Sequence, residues 1–317
     1  MLQTDCKKNS AVKPATCRWQ LAIAPAPAAW PLAGMNFCDA HFHLHDSRLA
    51  PFRAGLLEEL PRLGVAGGVV NGTREADWQA VAELCAAHDW LRPAFGLHPW
   101  YVAQRSDAWE AALAAQLDRC PQASIGETGL DCWIKGHDIA DQQRVFVRQL
   151  EMARERNVAI TVHCVRAHEP LRQVLQKHAT PARGFLLHAW SGPASLTDFL
   201  LERGAHFSFP LYFMHARKAA QRELFRTLPA ERVLVETDAP DLVPPDEWSA
   251  APLSHAETGA PLNHPANLLR AYEALAAVRG EPLAALAVAA QANWHRLFGP
   301  GSGKVPGIRT NRAVVAR

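Results

Sequence analysis

Eight short apolar runs, separated by polar or amphipathic segments, limit the fold of this chain more than any other feature. The runs occupy residues 35–44, 65–72, 91–99, 123–131, 158–164, 184–190, 205–210 and 233–240. Between them, segments such as 75–89, 141–157 and 169–179 carry apolar residues at three- and four-residue steps, a pattern typical of amphipathic helices. Eight strand–helix units of roughly thirty residues each predict an α/β fold, a parallel (β/α)8 TIM barrel. A doubly wound open sheet is disfavoured because no G-x-G-x-x-G motif follows the first run.

The composition is that of a packed globular protein. The chain has 317 residues, of which 49% are hydrophobic and 20% are charged. Its formal net charge of +2 creates no general basic field for nucleic acid, but a local basic cleft would not show in that sum. Seven scattered cysteines, with no C-x-x-C spacing, predict free thiols in a reducing cytoplasm.

Both ends differ from the body of the chain. Prolines interrupt the apolar part of residues 1–34, so we expect neither a signal peptide nor a membrane anchor there. We expect a disordered extension, or a natural start at Met35. Residues 300–317 are rich in glycine and basic residues and are expected to form a flexible tail. The predicted domain is therefore 35–299, and we expect it to be a monomer.

Ionisable side chains stand at the ends of the apolar runs. In a parallel barrel the active site lies at the carboxyl ends of the strands, so these side chains should converge. A single buried histidine is usually a hydrogen-bonded core residue, but a buried cluster of this size needs a compensating cation. The run ends carry His41, His43, His98, Glu127, Asp131, His163, His188, Glu236 and Asp238.

The donor types in this cluster indicate which cation it would bind. Imidazole and carboxylate groups without an obvious thiolate suit zinc, manganese or magnesium. The ligands are too many for one tetrahedral zinc, so we infer two divalent ions about 3.5–4 Å apart that share a carboxylate and activate water. His41 and His43 should face the same way from one strand, and Asp39 is expected to orient one of the histidines. His45 is expected in the loop beyond.

Six short motifs resemble the TatD family of metal-dependent hydrolases. They are DAHFHL, GLHPW, IGETGLD, TVHC, LLHAWSG and VETDAPDL, which occur in the family's order and spacing, and LNHPANL resembles the motif that follows. The resemblance covers residues 36–298. It implies a TIM barrel with two metal ions and deoxyribonuclease activity, often 3′ to 5′ exonucleolytic. The metal ligands that it implies are His41, His43, Glu127, His163, His188 and Asp238, with Glu127 bridging the ions.

The part of the sequence expected to bind substrate departs from the family pattern. The family places an arginine two residues after the fifth-strand histidine, whereas Arg166 comes three residues after His163. Asp241 stands where the family has an aromatic residue after TDAP. Trp133 and Trp190 are expected either to stack on a base or to pack at the barrel rim. The residues expected to contact substrate are His98, Arg166, Trp133, Trp190 and Asn263.

Three functions are compatible with these features. The first is hydrolysis of DNA phosphodiester bonds in the manner of a 3′–5′ exonuclease, with Asp238 and Glu127 as catalytic residues. In it, Asp238 would hold and deprotonate the attacking water, while Glu236 lies deeper and organises the interior. The second is metal-dependent hydrolysis of a small ester, lactone or amide. The third, a non-catalytic scaffold, is disfavoured because unused buried charges would destabilise the fold.

Overall fold

The computed structural model describes residues 34–136 and 138–299. Nearly all of the predicted extension 1–34 and the whole predicted tail 300–317 lie outside the described residues. No helix in the described part of the chain is long and apolar enough to cross a membrane.

All eight apolar runs form strands. These are β1 Phe37–Phe42, β2 Val65–Asn71, β3 Leu91–Phe95, β4 Ser124–Asp131, β5 Ile160–Val165, β6 Phe185–Leu187, β7 Ala205–Pro210 and β8 Val233–Glu236. Each strand pairs in parallel with the next, in the order β1 to β8. Backbone bonds from Asp238 N to His41 O (2.9 Å) and from His43 N to Ala239 O (2.7 Å) join the two ends of the sheet. The predicted TIM barrel is confirmed.

Nine α-helices among the described residues connect and cover the strands. They are α1 Arg53–Arg62, α2 Glu75–Ala86, α3 Trp109–Arg119, α4 Ile139–Arg156, α5 His168–Lys177, α6 Thr197–Glu202, α7 Ala219–Thr227, α8 Leu268–Arg279 and α9 Leu283–Phe298. A small antiparallel pair, β9 Pro252–Ser254 and β10 Pro261–Asn263, lies in the connection between β8 and α8. This pair was not predicted from the sequence.

The strands are buried on both faces, as expected for a barrel enclosed by helices. Every residue of β1, β4, β7 and β8 is buried. The core includes small strand residues such as Ala40 and Ala94, against which α9 packs Trp294, Leu297 and Phe298. This packing leaves the opposite, carboxyl ends of the strands available for chemistry.

A glycine in β4 allows the close approach of β4 to β5. Gly129 has φ +137° and pairs with His163, and a Cβ at this position would lie 2.0 Å from the His163 carbonyl oxygen. Only glycine combines this backbone conformation with so close a neighbour. Gly129 therefore brings the part of β4 that carries Glu127 and Asp131 against the end of β5.

Candidate metal centre

The carboxyl ends of the strands bring together all six residues predicted as metal ligands. His41 lies in β1, His43 directly after it, and Glu127 and His163 in β4 and β5. His188 and Asp238 follow β6 and β8, and all six side chains belong to buried residues. Glu127 lies at the centre of the cluster and contacts histidines from several strands.

One group of four donor atoms has the dimensions of a tetrahedral cation site. His41 Nε2 lies 3.3 Å from His43 Nε2, 3.4 Å from Glu127 Oε2 and 3.2 Å from Asp238 Oδ1. His43 Nε2 lies 3.3 Å from Glu127 Oε2 and 3.4 Å from Asp238 Oδ1. A regular tetrahedron whose corners are about 2.0–2.1 Å from its centre, the usual Zn–N and Zn–O distance, has edges of about 3.3–3.4 Å. These four residues therefore fit a divalent cation.

The other carboxylate oxygen of Glu127 belongs to a second group of donors. Glu127 Oε1 lies 3.0 Å from His163 Nδ1 and 2.9 Å from His188 Nε2. The two histidine nitrogens are 3.3 Å apart. This triangle is also compact enough to hold a cation, and it leaves a position for water or substrate. Glu127 thus offers one oxygen to each group.

Neighbouring acceptors hold two of these histidines in orientation. His43 Nδ1 lies 2.8 Å from the carbonyl oxygen of Asn71, and His163 Nε2 lies 3.0 Å from Asp131 Oδ2. Such partners fix which ring nitrogen carries the proton and which one faces a metal. His188 Nδ1 lies 3.8 Å from Glu236 Oε1, which is too long for a hydrogen bond, and Glu236 accepts a hydrogen bond from Ser208.

Asp238 has a left-handed backbone conformation with φ +57°, and its backbone N–H donates to the carbonyl oxygen of His41 over 2.9 Å. The preceding residue, Thr237, donates its hydroxyl to Asp39 Oδ2 (2.6 Å), and its carbonyl accepts from Asn263 Nδ2 (2.7 Å). Asp39 Oδ1 accepts from the backbone N–H of His41 (3.0 Å), so Asp39 holds backbone rather than the imidazole that it was expected to orient. A strained residue held in this way is common at functional sites.

The charges of the cluster compensate one another. Burial alone would raise the pKa of Glu127, but His188 and neighbouring histidines hold it well below its ordinary value. Hydrogen bonds from His41 and His43 likewise lower the pKa of Asp238 against the effect of burial. The same contacts raise the pKa values of His43 and His188 well above normal, although burial opposes this. A divalent cation that displaced these histidine protons would satisfy the same carboxylates.

His98 differs from the other histidines of the cluster. Its Nδ1 accepts a hydrogen bond from the backbone N–H of Trp100 (3.2 Å), and burial lowers its pKa to about 4. The ring is therefore neutral and carries its proton on Nε2, which lies 3.4 Å from Glu127 Oε1. Although His98, Glu127 and His163 also have donor atoms close enough together to hold a metal, this tautomer suits His98 to donate a hydrogen bond to substrate.

The remaining residues expected to contact substrate occupy different environments. Trp133 is 58% exposed on the loop after β4, whereas Trp190 is 1% exposed and packs against His168 and Phe207. Because its ring is covered, the placement of Trp190 favours packing over base stacking.

Arg166 and Asn263 have contrasting surroundings. Arg166 is exposed, with φ +53°, and forms no ion pair within residues 34–136 and 138–299. Asn263 is fully buried, and its side chain bonds Thr237 and Asn267, which suits it to position Asp238 rather than to touch substrate.

Sequence reasoning missed Trp100, whose indole Nε1 donates to Asp131 Oδ2 over 2.7 Å. Its only signal is its place just after the strand-end His98, in GLHPW. The exposure of a tryptophan at such a place depends on the conformation of the neighbouring loop, and the periodicity of the sequence does not show that conformation.

The model of the family described as TatD related DNase matches residues 38–299. The chain is 30% identical over 262 residues to the 3′-5′ ssDNA/RNA exonuclease TatD of Escherichia coli K12, covering 82% of this chain and 98% of that protein. It is 27% identical over 265 residues to the uncharacterized metal-dependent hydrolase YjjV of the same organism, covering 83% of this chain and 98% of YjjV.

Solved structures agree with these relatives. The crystal structure of the TatD homologue YjjV from Escherichia coli K12 superposes with a TM-score of 0.74 at 26% identity, covering 83% of this chain and 97% of that chain. A TatD family hydrolase from Entamoeba histolytica, at 14% identity and a TM-score of 0.72 over 84% of this chain and 99% of that one, shares the fold. The chain belongs to the TatD related DNase family, and the hydrolase class predicted from its motifs is confirmed.

Proposed function

We propose that this protein is a nuclease that uses two divalent ions to remove nucleotides from the 3′ end of a DNA strand. The observation that carries the proposal is the position of Glu127, whose two oxygens belong to two separate donor groups. Paired ions bridged by a carboxylate are typical of enzymes that cleave phosphodiesters. The name of the Escherichia coli TatD relative, a 3′-5′ ssDNA/RNA exonuclease, supports this substrate class and extends it to RNA.

The proposed ligands divide between the two donor groups. His41, His43 and Asp238 would hold one ion together with Glu127 Oε2. His163 and His188 would hold the other together with Glu127 Oε1. Zinc, manganese and magnesium are all compatible with imidazole and carboxylate donors. When bound, the ions would neutralise charge on the phosphoryl oxygens and make water more acidic.

The residues of the chain supply orientation and proton transfer. Asp238 is ionised and can accept a proton from the attacking water as a general base. His98 is neutral and can donate its Nε2 proton in a hydrogen bond to a phosphate oxygen. Asp131 acts through His163, whose ring it orients. We further propose that residues 35–299 suffice for this activity as a monomer. We also propose that the protein acts in the cytoplasm.

One observation favours the second candidate, hydrolysis of a small ester, lactone or amide. Arg48 donates to both oxygens of Asp241 over 2.8 and 2.7 Å, and it also bonds Asp46. This cluster joins the loops after β1 and β8, next to the metal ligands that these loops carry. Because Asp46 and Asp241 already bind the Arg48 guanidinium, this cation is not free to bind a phosphate, which disfavours a polyanion.

A parallel substrate panel distinguishes the two functions. Metal-loaded protein would be assayed on 3′-labelled single-stranded DNA, on RNA, and on small esters, lactones and amides. Binding to the DNA strand should weaken with salt by a logarithmic slope of about 0.7 per neutralised phosphate. Hydrolysis of the small esters with no turnover of either strand, together with a flat salt response, would favour the second candidate.

A further inference from the structure

Two exposed tryptophans stand on neighbouring loops beside the candidate metal centre. Trp100 is 43% exposed after β3, and Trp133 is 58% exposed after β4. Within residues 34–136 and 138–299 the only other large hydrophobic residue exposed to this degree is Val288, on the outer helix α9. Indole rings open to water at the mouth of a barrel indicate a surface that covers a ligand.

Asp131 connects both tryptophans to the metal centre. Its Oδ2 accepts a hydrogen bond from Trp100 Nε1 over 2.7 Å, and its Oδ1 accepts from the backbone N–H of Trp133 over 2.6 Å. The same Oδ2 lies 3.0 Å from Nε2 of His163, whose other nitrogen faces Glu127. One buried carboxylate therefore fixes Trp100, the loop of Trp133 and a proposed metal ligand.

The Trp100 ring borders the residues that would surround the reacting phosphate. Its centroid lies 5.1 Å from the ring of His98 and 6.4 Å from the ring of His163, both nearly edge to face. A group that rests on this indole would therefore be a few ångströms from the hydrogen-bond donor of His98. That spacing matches a nucleotide, in which the base and its phosphate are joined through one sugar.

We propose that Trp100 and Trp133 form a binding site for an unpaired nucleobase next to the phosphate that is cleaved. The inference rests on the proposed nuclease function and names the residues that would hold the base, which must be unpaired because a base within a duplex has no free face at such a site. Stacking on aromatic side chains tolerates any base and contributes a factor of roughly 5 to 150 in affinity per base. Selectivity for sequence is therefore expected to be weak.

The test uses two single strands of equal length and charge, one with ordinary nucleotides and one with abasic residues at its last two 3′ positions. Metal-loaded wild-type protein should have a kcat/KM about 5- to 150-fold lower on the abasic strand. Trp133→Ala and Trp100→Ala should bring this ratio close to 1, mainly through a higher KM on the ordinary strand. Val288→Ala, which removes an exposed apolar side chain far from the loops, should keep the wild-type ratio.

A further variant separates base stacking from the orientation of Asp131. Trp100→Phe keeps an aromatic face but has no N–H for Asp131, so it should retain most of the preference for the ordinary strand. If Trp100 acted only through Asp131 and His163, Trp100→Phe and Trp100→Ala would lower kcat alike on both strands, and the inference would fail for Trp100.

The same assay tells failure of this inference from failure of the nuclease proposal. Equal hydrolysis of both strands by the wild type, or an unchanged ratio in the alanine variants, would overturn the base site and leave the nuclease standing. Hydrolysis of neither strand by protein of verified metal content would overturn both.

Discussion

Asp238 is proposed both to bind a metal ion and to act as the general base. Its Oδ1 lies within 3.4 Å of both His41 Nε2 and His43 Nε2, and its backbone is held at φ +57° by contacts of the preceding Thr237. Because the surrounding histidines keep the carboxyl ionised, it can serve both as a metal ligand and as a base.

Asp238→Asn should lower turnover while leaving the protein folded. The amide keeps the shape of the side chain and one ligating oxygen but cannot accept the proton, so we expect turnover to fall by a factor of about 10² to 10⁴. Initial rates and metal content would be measured on the same sample. Glu236→Gln is the matched control: it should chiefly lower the thermal midpoint, since Glu236 is fully buried and bonded to Ser208. Near-normal turnover of Asp238→Asn with metal bound would remove Asp238 as the base.

Individual residues show how far the sequence could predict the site. His41 and His43 were predictable as a pair because alternation along a strand places them on one face. Asn263 and Trp190 were not, since their roles depend on what covers them: Asn263 bonds Thr237, and Trp190 packs under other rings. Contacts between residues distant in sequence leave no periodic signal.

At the scale of elements, the strands were predictable and their connections were not. Each strand falls on one of the apolar runs, as burial on both faces requires. The pair β9 and β10 has only three residues in each strand and lies in a proline-containing segment, too short for a periodic pattern. The contact between β4 and β5 depends on Gly129, whose need for glycine became visible only from the adjacent His163 backbone.

Gly129→Ala should disrupt the junction of β4 and β5. A methyl group there would lie 2.0 Å from the His163 carbonyl oxygen, and the backbone would have to move. We expect a loss of about 3 kcal/mol or more in the free energy of unfolding, measured with urea. Gly55→Ala in α1 has no neighbour within 4 Å and should be neutral or stabilising by up to about 1 kcal/mol. Similar free energies of unfolding for the two variants would show that the backbone at the β4–β5 junction can move to accommodate the methyl group.

The buried His206 in β7 is expected to make the folded protein less stable in acid. Burial and the charge of Arg232 lower its pKa to about 4, from 6.5 for an ordinary histidine. The unfolded chain binds a proton below pH 6.5 while the folded protein does not, so stability is lost as the pH falls from 6.5 towards 4. His206→Phe should reduce the loss between pH 7 and pH 5 by about 2 kcal/mol in urea unfolding. If the free energy of unfolding fell with pH by the same amount in wild type and in His206→Phe, this prediction would be wrong.

At the scale of the whole molecule, the candidate metal centre joins strands that are far apart in the chain. Its six residues come from the ends of β1, β4, β5, β6 and β8, so they converge only when the barrel is closed. The barrel and the convergence of these six residues were predictable because family motifs and strand ends coincide. The contacts that Asp131 and Thr237 make around these six residues could be identified only from the structure.

Metal removal should therefore lower stability as well as activity. A cation that binds only the folded barrel stabilises it by about 2.7 kcal/mol at a free concentration one hundred times its dissociation constant. Chelation should lower the thermal midpoint, and added metal should restore it. In Glu127→Gln, which weakens both donor groups, the shift on adding metal should be much smaller. An unchanged midpoint, with metal loss verified, would show that the cluster holds no structural cation.

The central claim is that the cluster around Glu127 hydrolyses phosphodiester bonds in a metal-dependent way. The most direct measurement is release of nucleotides from 3′-labelled single-stranded DNA by wild-type protein before chelation, after chelation and after metal is returned. We predict release of the label, its loss on chelation and its recovery with metal, with Glu127→Gln inactive throughout. Undiminished release from protein whose metal content is verified as zero, or no release at any metal concentration, would contradict the claim.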